Sequence, residues 1–192
     1  MVSTASRLMQ AGLTPSVSEV AEAAEVSRAT AYRYFPDQAA LVHAVVDEAL
    51  GPILKWEGKS LNAEERILDL FDTALPRIWE FEATFKAALR LSLERWAQDG
   101  VLSEQPRFTR GHRIDLLNEA LSPLRDQLSE TEFDRLAQAI SLIFGVELCT
   151  VLGDIWELSG TQSSQVARWA AGALVRAAVS EAGSAAQAQG RK

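Results

Sequence analysis

The sequence predicts an all-α protein: an N-terminal three-helix unit of helix-turn-helix type, followed by a larger helical domain. Three observations predict it. The apolar/polar alternation of a half-buried strand is absent, while Ala, Leu, Glu, Gln and Arg are plentiful. Apolar residues recur at i, i+3 and i+4 over most of the chain. The stretches with that period are separated by loop-like clusters: "GLTPS" (12–16), "GPILKWEGKSLN" (51–62), "QDGVLSEQP" (98–106) and "LSGTQSS" (158–164).

Taken in order, residues 3–11 form a short first helix. Ser16 caps a second, to residue 24, with Val17, Val20, Ala21 and Ala24 on one face. Ser27 caps a third over 28–34, and a fourth runs over 37–50 with Ala40, Leu41, Ala44, Val45 and Glu48 marking its turns. Asn62 followed by Glu65 resembles a capping box. The helix it opens carries Ile67, Leu70, Phe71, Ala74, Leu75, Ile78 and Trp79, and Pro76 is expected to kink or end it. Residues 84–97 present Phe85, Ala88, Leu89 and Ser92; residues 107–128 present Ile114, Leu117, Leu121 and Leu124. "SETE" (129–132) opens a long run to about Trp156, apolar nearly all round and so expected to be buried on two sides. The last helix, 164–182, carries the small residues Ala170, Gly172, Ala173 and Ala177, which allow close approach of another helix. Residues 184–192 read as a disordered tail.

Composition narrows the function. A chain of 192 residues, 47% hydrophobic, supports one globular domain or one with a small appendage. Its net charge of −7 supplies no global field toward DNA or an anionic membrane, so any nucleic-acid contact must be a local patch. The one cysteine, Cys149, lies in an apolar run and reads as a buried thiol in a reducing cytoplasm. No stretch suits a membrane span and the N-terminus does not read as a signal peptide. His43 and His112 are expected at the surface, and no ligand spacing suggests a metal or other cofactor. There is no Gly-rich phosphate loop and no nucleophile elbow, and no Ser/His/Asp constellation suggests itself, so an enzyme is not expected.

The informative stretch is "VSRATAYRYF" (26–35). Two short helices joined by a tight turn, the second studded with Arg, Thr and Tyr, read as a helix-turn-helix. Val20, Ala21, Ala24, Val26 and Phe35 make a small shared core, which leaves the rest of the second helix free to enter a major groove. Arg forks suit guanine or phosphate; hydroxyls suit phosphate oxygens. The whole of "SVSEVAEAAEVSRATAYRYFPDQAALV" (16–42) resembles the DNA-binding segment of the TetR/AcrR family of transcriptional regulators, including the "YRYF" end, Pro36, Leu41 and Val42. The resemblance implies backbone contacts to DNA from Ser16 and Ser18. It implies base or phosphate contacts from Ser27, Arg28, Thr30 and Arg33, and phosphate contacts from Tyr32 and Tyr34; Ala29 and Phe35 are structural in this reading. Glu25 stands where the family usually has its turn glycine, and Gln38 where it often has a phosphate-binding lysine. Arg7, Arg28 and Arg33 are the only cations before Lys55, against Glu19, Glu22, Glu25 and Asp37.

By the same resemblance, residues 1–50 bind double-stranded operator DNA and residues 51–183 hold an effector and dimerise. The expected function is a cytoplasmic, homodimeric repressor, released from a near-palindromic operator by a small hydrophobic or aromatic effector. The effector site is expected among Trp79, Phe85, Leu89, Trp96, Arg113, Leu117, Phe144 and Glu147. Glu147 interrupts an apolar run, where a carboxylate must be paired or reach water, and Arg113 is a candidate partner. A ligand- or protein-binding module that does not bind DNA, on the same fold, is the alternative that the acidic first unit leaves open.

Overall fold

The computed structural model describes residues 1–99 and 111–189, and all regular structure among them is helical. In chain order the helices are α1 (Val2–Gln10), α2 (Val17–Ala23), α3 (Arg28–Tyr34), α4 (Gln38–Leu50), α5 (Ala63–Glu80), α6 (Glu82–Asp99), α7 (Gly111–Leu121), α8 (Glu130–Ser141), α9 (Val146–Leu148) and α10 (Gly160–Gln189). Two compact units divide the chain: Met1–Pro52 with Glu80–Thr109, and Ile53–Trp79 with Arg110–Lys192. The first unit therefore takes in α6, which packs on α1 and α4, as well as the residues before the expected boundary at 50.

In the first unit, Ala5 and Met9 of α1, Val17, Val20 and Ala21 of α2, and Leu41, Val42 and Val45 of α4 close one buried cluster, joined by Ala88 of α6. Only Ala31 of α3 enters it fully, with Phe35 partly buried against it. Ala31 and Phe35 are four apart and share a helical face. Ala29, expected to be structural, lies off that face and is exposed. Ser16 caps α2 in a capping box with Glu19, and Ser27 and Asp37 cap α3 and α4. Between α2 and α3 the chain turns through Glu25 at φ 55, the left-handed conformation that the missing glycine would have taken at less cost.

The second unit is built on the stripe Ile67, Leu70, Phe71, Ala74, Leu75 and Ile78 of α5, all buried, with Trp79 half-buried at its end. The helix runs on through Pro76 to Glu80 instead of ending there. Pro76 removes a single intrahelical bond, and the buried residues on either side hold the last turn. Asn62 caps α5 through the amides of Glu64 (2.8 Å) and Glu65 (3.2 Å), but Glu65 accepts from Ser60 Oγ (2.6 Å), so the box is not closed.

Several expectations change. α7 ends at Leu121 in a short 3-10 turn, Ser122–Leu124, that contains Pro123; residues 107–110 lie outside the described residues. Ile114 is exposed, because the row that holds Leu117, Leu121 and Leu124 is continued by Arg113. The run from 132 to 156 is not one helix: α8 stops at Ser141, Gly145 adopts φ 134, and α9 continues as a π-helical turn, Cys149–Ile155. Nor is it buried on both sides within one chain, since Leu142, Val151, Ile155 and Trp156 are exposed. α10 begins at Gly160, where Ser159 and Gln162 exchange capping bonds, and reaches Gln189 through most of the segment read as a disordered tail. Its buried small residues are Ala167, Ala171, Gly172 and Ala178; Ala177 faces out. Arg168 and Arg176 tie α10 to Asp72 and Glu64 of α5. Cys149 is buried, and His43 and His112 are half-buried rather than exposed.

Candidate nucleic-acid interface

α3 is seven residues long and gives one of them, Ala31, wholly to the core. A helix so thinly anchored is positioned from its ends. Ser27 Oγ accepts from Thr30 N–H (3.2 Å) and donates to Thr30 Oγ1 (2.9 Å), fixing the first turn. Phe35 N–H donates to Ala31 C=O (2.9 Å) at the other end. Across the motif, Ser18 Oγ and Tyr32 OH are 3.1 Å apart and hydrogen-bonded, which locks α2 to α3.

What remains is an outward face. Arg28, Tyr32, Arg33 and Tyr34 are exposed, and Ala29 between them adds no bulk that would hold a ligand off. Tyr34 is 65% exposed, with the Arg33 guanidinium 5.1 Å from its ring centroid, so the two side chains stack over each other. Ser16 and Ser18 are half-buried at the start of α2, next to this face through the Ser18–Tyr32 bond. The eight residues expected from the sequence thus fall on the two motif helices and the residues that cap them. Exposed arginines beside phenolic hydroxyls, with capped helix N-termini, can grip phosphate oxygens and reach base edges.

Acidic groups shape the same surface. Glu19 accepts from Ser16 N–H (2.7 Å), and its carboxyl is held below the usual range by bonds from the Ser16 backbone and then the Ser16 side chain. It stays ionised as a cap, not as a partner for DNA. The pattern S-x-x-E at 16–19 carries that signal in the sequence. Gln38 had no such signal. Its Nε2 donates to the carbonyls of Thr14 (3.1 Å) and Pro15 (3.0 Å), tying the start of α4 to the chain just before the Ser16 cap. The position that lacks a phosphate-binding lysine is a structural clamp.

The residues expected to hold an effector are distributed between the units. Phe85 and Leu89 are half-buried on α6 of the first. The side chain of Trp96 lies outside the described residues. In the second unit Leu117 and Phe144 are core residues, Phe144 packing on Phe71 at 5.1 Å between ring centroids. Arg113 and Glu147 are brought together: Nη2 donates to Glu147 Oε2 (2.7 Å) while Nη1 donates to Ser141 C=O (3.2 Å). No group of three or more His, Cys, Asp and Glu among the described residues could hold a metal ion. Among the same residues no single helix is long and apolar enough to cross a membrane.

Residues 2–45 match the family described as "Bacterial regulatory proteins, tetR family". The fold over nearly the whole chain is similar to the crystal structure of a TetR transcriptional regulator from Rhodococcus sp. RHA1, at 18% sequence identity and a TM-score of 0.59, covering 91% of this chain and 92% of that one. No curated protein matches the sequence.

Proposed function

We infer, from the premise that this chain belongs through residues 2–45 to the tetR family of bacterial regulatory proteins, that it is a homodimeric, effector-released repressor of transcription. The observation that carries the reading is the outward face of α3. A helix that buries one alanine and exposes Arg28, Tyr32, Arg33 and Tyr34 has little use for those side chains inside the protein. Arg33 and Arg28 read bases or phosphate, Tyr32 and Tyr34 position the helix on the backbone, and Ser16, Ser18, Ser27 and Thr30 set the two helix starts against phosphates.

A second copy completes the operator-binding form. Two recognition helices related by a two-fold axis lie about one DNA turn, ~34 Å, apart, and so select a near-palindrome. The apolar side chains that one chain leaves exposed on the second unit, Leu142, Val151, Ile155, Trp156, Val166 and Trp169, support self-association. A small, largely apolar effector held by the same unit acts by preferring the arrangement that does not fit consecutive major grooves. Effector and DNA must then weaken each other by the same factor.

Selection from random duplex DNA at moderate salt tests the reading. Enrichment of a near-palindrome, lost with Arg33→Ala, is the expected outcome. A folded, dimeric protein that enriches nothing favours a ligand-binding module, with Glu19, Glu22 and Glu25 too close to the two arginines for useful DNA affinity.

A further inference from the structure

Besides Arg66 Nε, two buried polar groups of the second unit have no hydrogen-bond partner among the described residues: the indole Nε1 of Trp79 and Oγ of Ser163. Ser163 is wholly buried, at 0% exposure. Buried donors are satisfied in about nine cases out of ten or more, so two of them left over in one unit require an explanation. Arg66 Nε, also unpartnered, has one: its other guanidinium nitrogens already serve Gly58, Ser60 and Glu119.

Both groups belong to the region around the start of α10. Trp79, near the end of α5, lies across two glycines. A Cβ on Gly153 would stand 3.0 Å from Cη2 of the ring and 3.3 Å from Cζ3; one on Gly160 would stand 3.1 Å from Cγ, 3.2 Å from Cδ2 and 3.4 Å from Cδ1. The six-membered ring thus faces the π-helical turn and the pyrrole ring faces the start of α10. Nε1 is bonded to Cδ1, so it lies at the α10 end. Ser163 is three residues beyond Gly160, on the same face of that helix. Further along the face come Ala167 and Ala171, both buried and apolar.

We propose that Trp79 Nε1 and Ser163 Oγ form the polar end of the effector site and together take the oxygen of a neutral carbonyl compound. The proposal rests on the effector-responsive reading above. An indole N–H only donates, and a serine hydroxyl can donate, so one oxygen with two lone pairs satisfies both. Both donors are neutral, and an anion buried between them would lose its hydration without gaining a cation. Ketones, esters, lactones and amides with an apolar body fit; free acids do not.

The test uses the full chain labelled with ¹⁵N, with the Trp79 indole resonance assigned through Trp79→Phe. Acetophenone is the probe. α-Methylstyrene replaces its carbonyl oxygen by a methylene at nearly the same shape, and benzoate supplies the charged analogue. Acetophenone is expected to move the Trp79 N–H proton downfield with a millimolar Kd, α-methylstyrene to leave it in place, and benzoate to bind more weakly. Ser163→Ala is expected to melt no lower than the parent, since it removes an unpaired hydroxyl, yet to weaken acetophenone about tenfold, the worth of one hydrogen bond. Equal responses to acetophenone and α-methylstyrene overturn the proposal, as does tighter binding of benzoate. So does no response at all, or an indole proton that still exchanges magnetisation with a buried water in saturating acetophenone. If the same preparation still selects an operator from random DNA, only the carbonyl anchor has failed, not the regulatory function.

Discussion

Gln38 shows how a single side chain decides between holding the protein and holding DNA. Its amide bonds the carbonyls of Thr14 and Pro15, and so fixes the approach to the Ser16 cap. Gln38→Ala leaves two part-buried acceptors without this donor and is expected to lower stability by about 1–2 kcal/mol, read by chemical denaturation. Gln38→Lys exchanges part of that clamp for a charge beside the face proposed to bind DNA. It is expected to bind operator more tightly, with a salt slope steeper by about one phosphate contact. An unchanged slope would mean that the position does not face DNA. Glu25, at φ 55, poses the opposite case: Glu25→Gly should raise stability by up to about 1 kcal/mol and remove a negative charge from the same surface. Glu19 makes the first unit sensitive to acid. Its folded carboxyl titrates below the usual carboxylate range, so the cap contributes fully above the unfolded value and is lost as pH falls through the lower, folded one. Circular dichroism of Glu19→Gln against the parent, from about pH 7 to about pH 3, should show the two converge only at the acid end.

At the scale of elements, most helices were legible because the signals that place them are local. Ser27 and Ser16 start their helices where a short polar residue precedes an apolar period, and the α5 stripe follows the helical repeat residue by residue. The exposed residues of α3 were legible for a related reason: an outward face is what remains when the few apolar positions have been assigned. The break in the run 132–156 was only half legible: Arg113 was a candidate partner for Glu147, but nothing local showed that Gly145 would turn to φ 134 beside that pair, 34 positions apart in sequence. A Cβ at Gly145 would meet the Arg113 guanidinium and the Glu147 carboxylate, so glycine, ion pair and interrupted helix form one arrangement. The unpartnered Ser163 hydroxyl was invisible, since a serine in a helical pattern looks the same whether its hydroxyl is satisfied or not. Arg113→Met should therefore cost about 1–2 kcal/mol, discounted for a pair that is a quarter to a third exposed. Glu147→Gln, which keeps an acceptor for the guanidinium, should cost less. If the double variant Arg113→Met with Glu147→Gln loses the sum of the two single losses, the two side chains do not act as a pair.

At the scale of the whole molecule the decisive quantity is how much apolar surface one chain leaves uncovered. Trp156, 69% exposed, and Trp169, 72% exposed, carry the largest side chains of a group that includes Leu142, Ile155 and Val166. Along α10, the exposed Val166, Trp169 and Ala177 follow at helical spacing with the half-buried Ala173 between them, so they form a strip and not a scatter of single residues. A second copy presenting the same strip would cover Trp169, and buried tryptophans rank among the side chains that carry most of an interface's energy. Trp169→Glu should then raise the dimer dissociation constant by about 30-fold or more, the effect of a central residue worth roughly 2 kcal/mol. Sedimentation equilibrium would read this directly. The same variant separates dimerisation from DNA contact, because residue 169 is far in sequence from the recognition helix and the first unit keeps its own core. A monomer touches one half-site and about half the phosphates, so the dependence of log K on log salt should fall to about half the parent slope while the half-site sequence stays the same. A Trp169→Glu protein that remains dimeric would place the self-association surface elsewhere. One that becomes monomeric but keeps the full salt slope would show that operator binding does not depend on this strip.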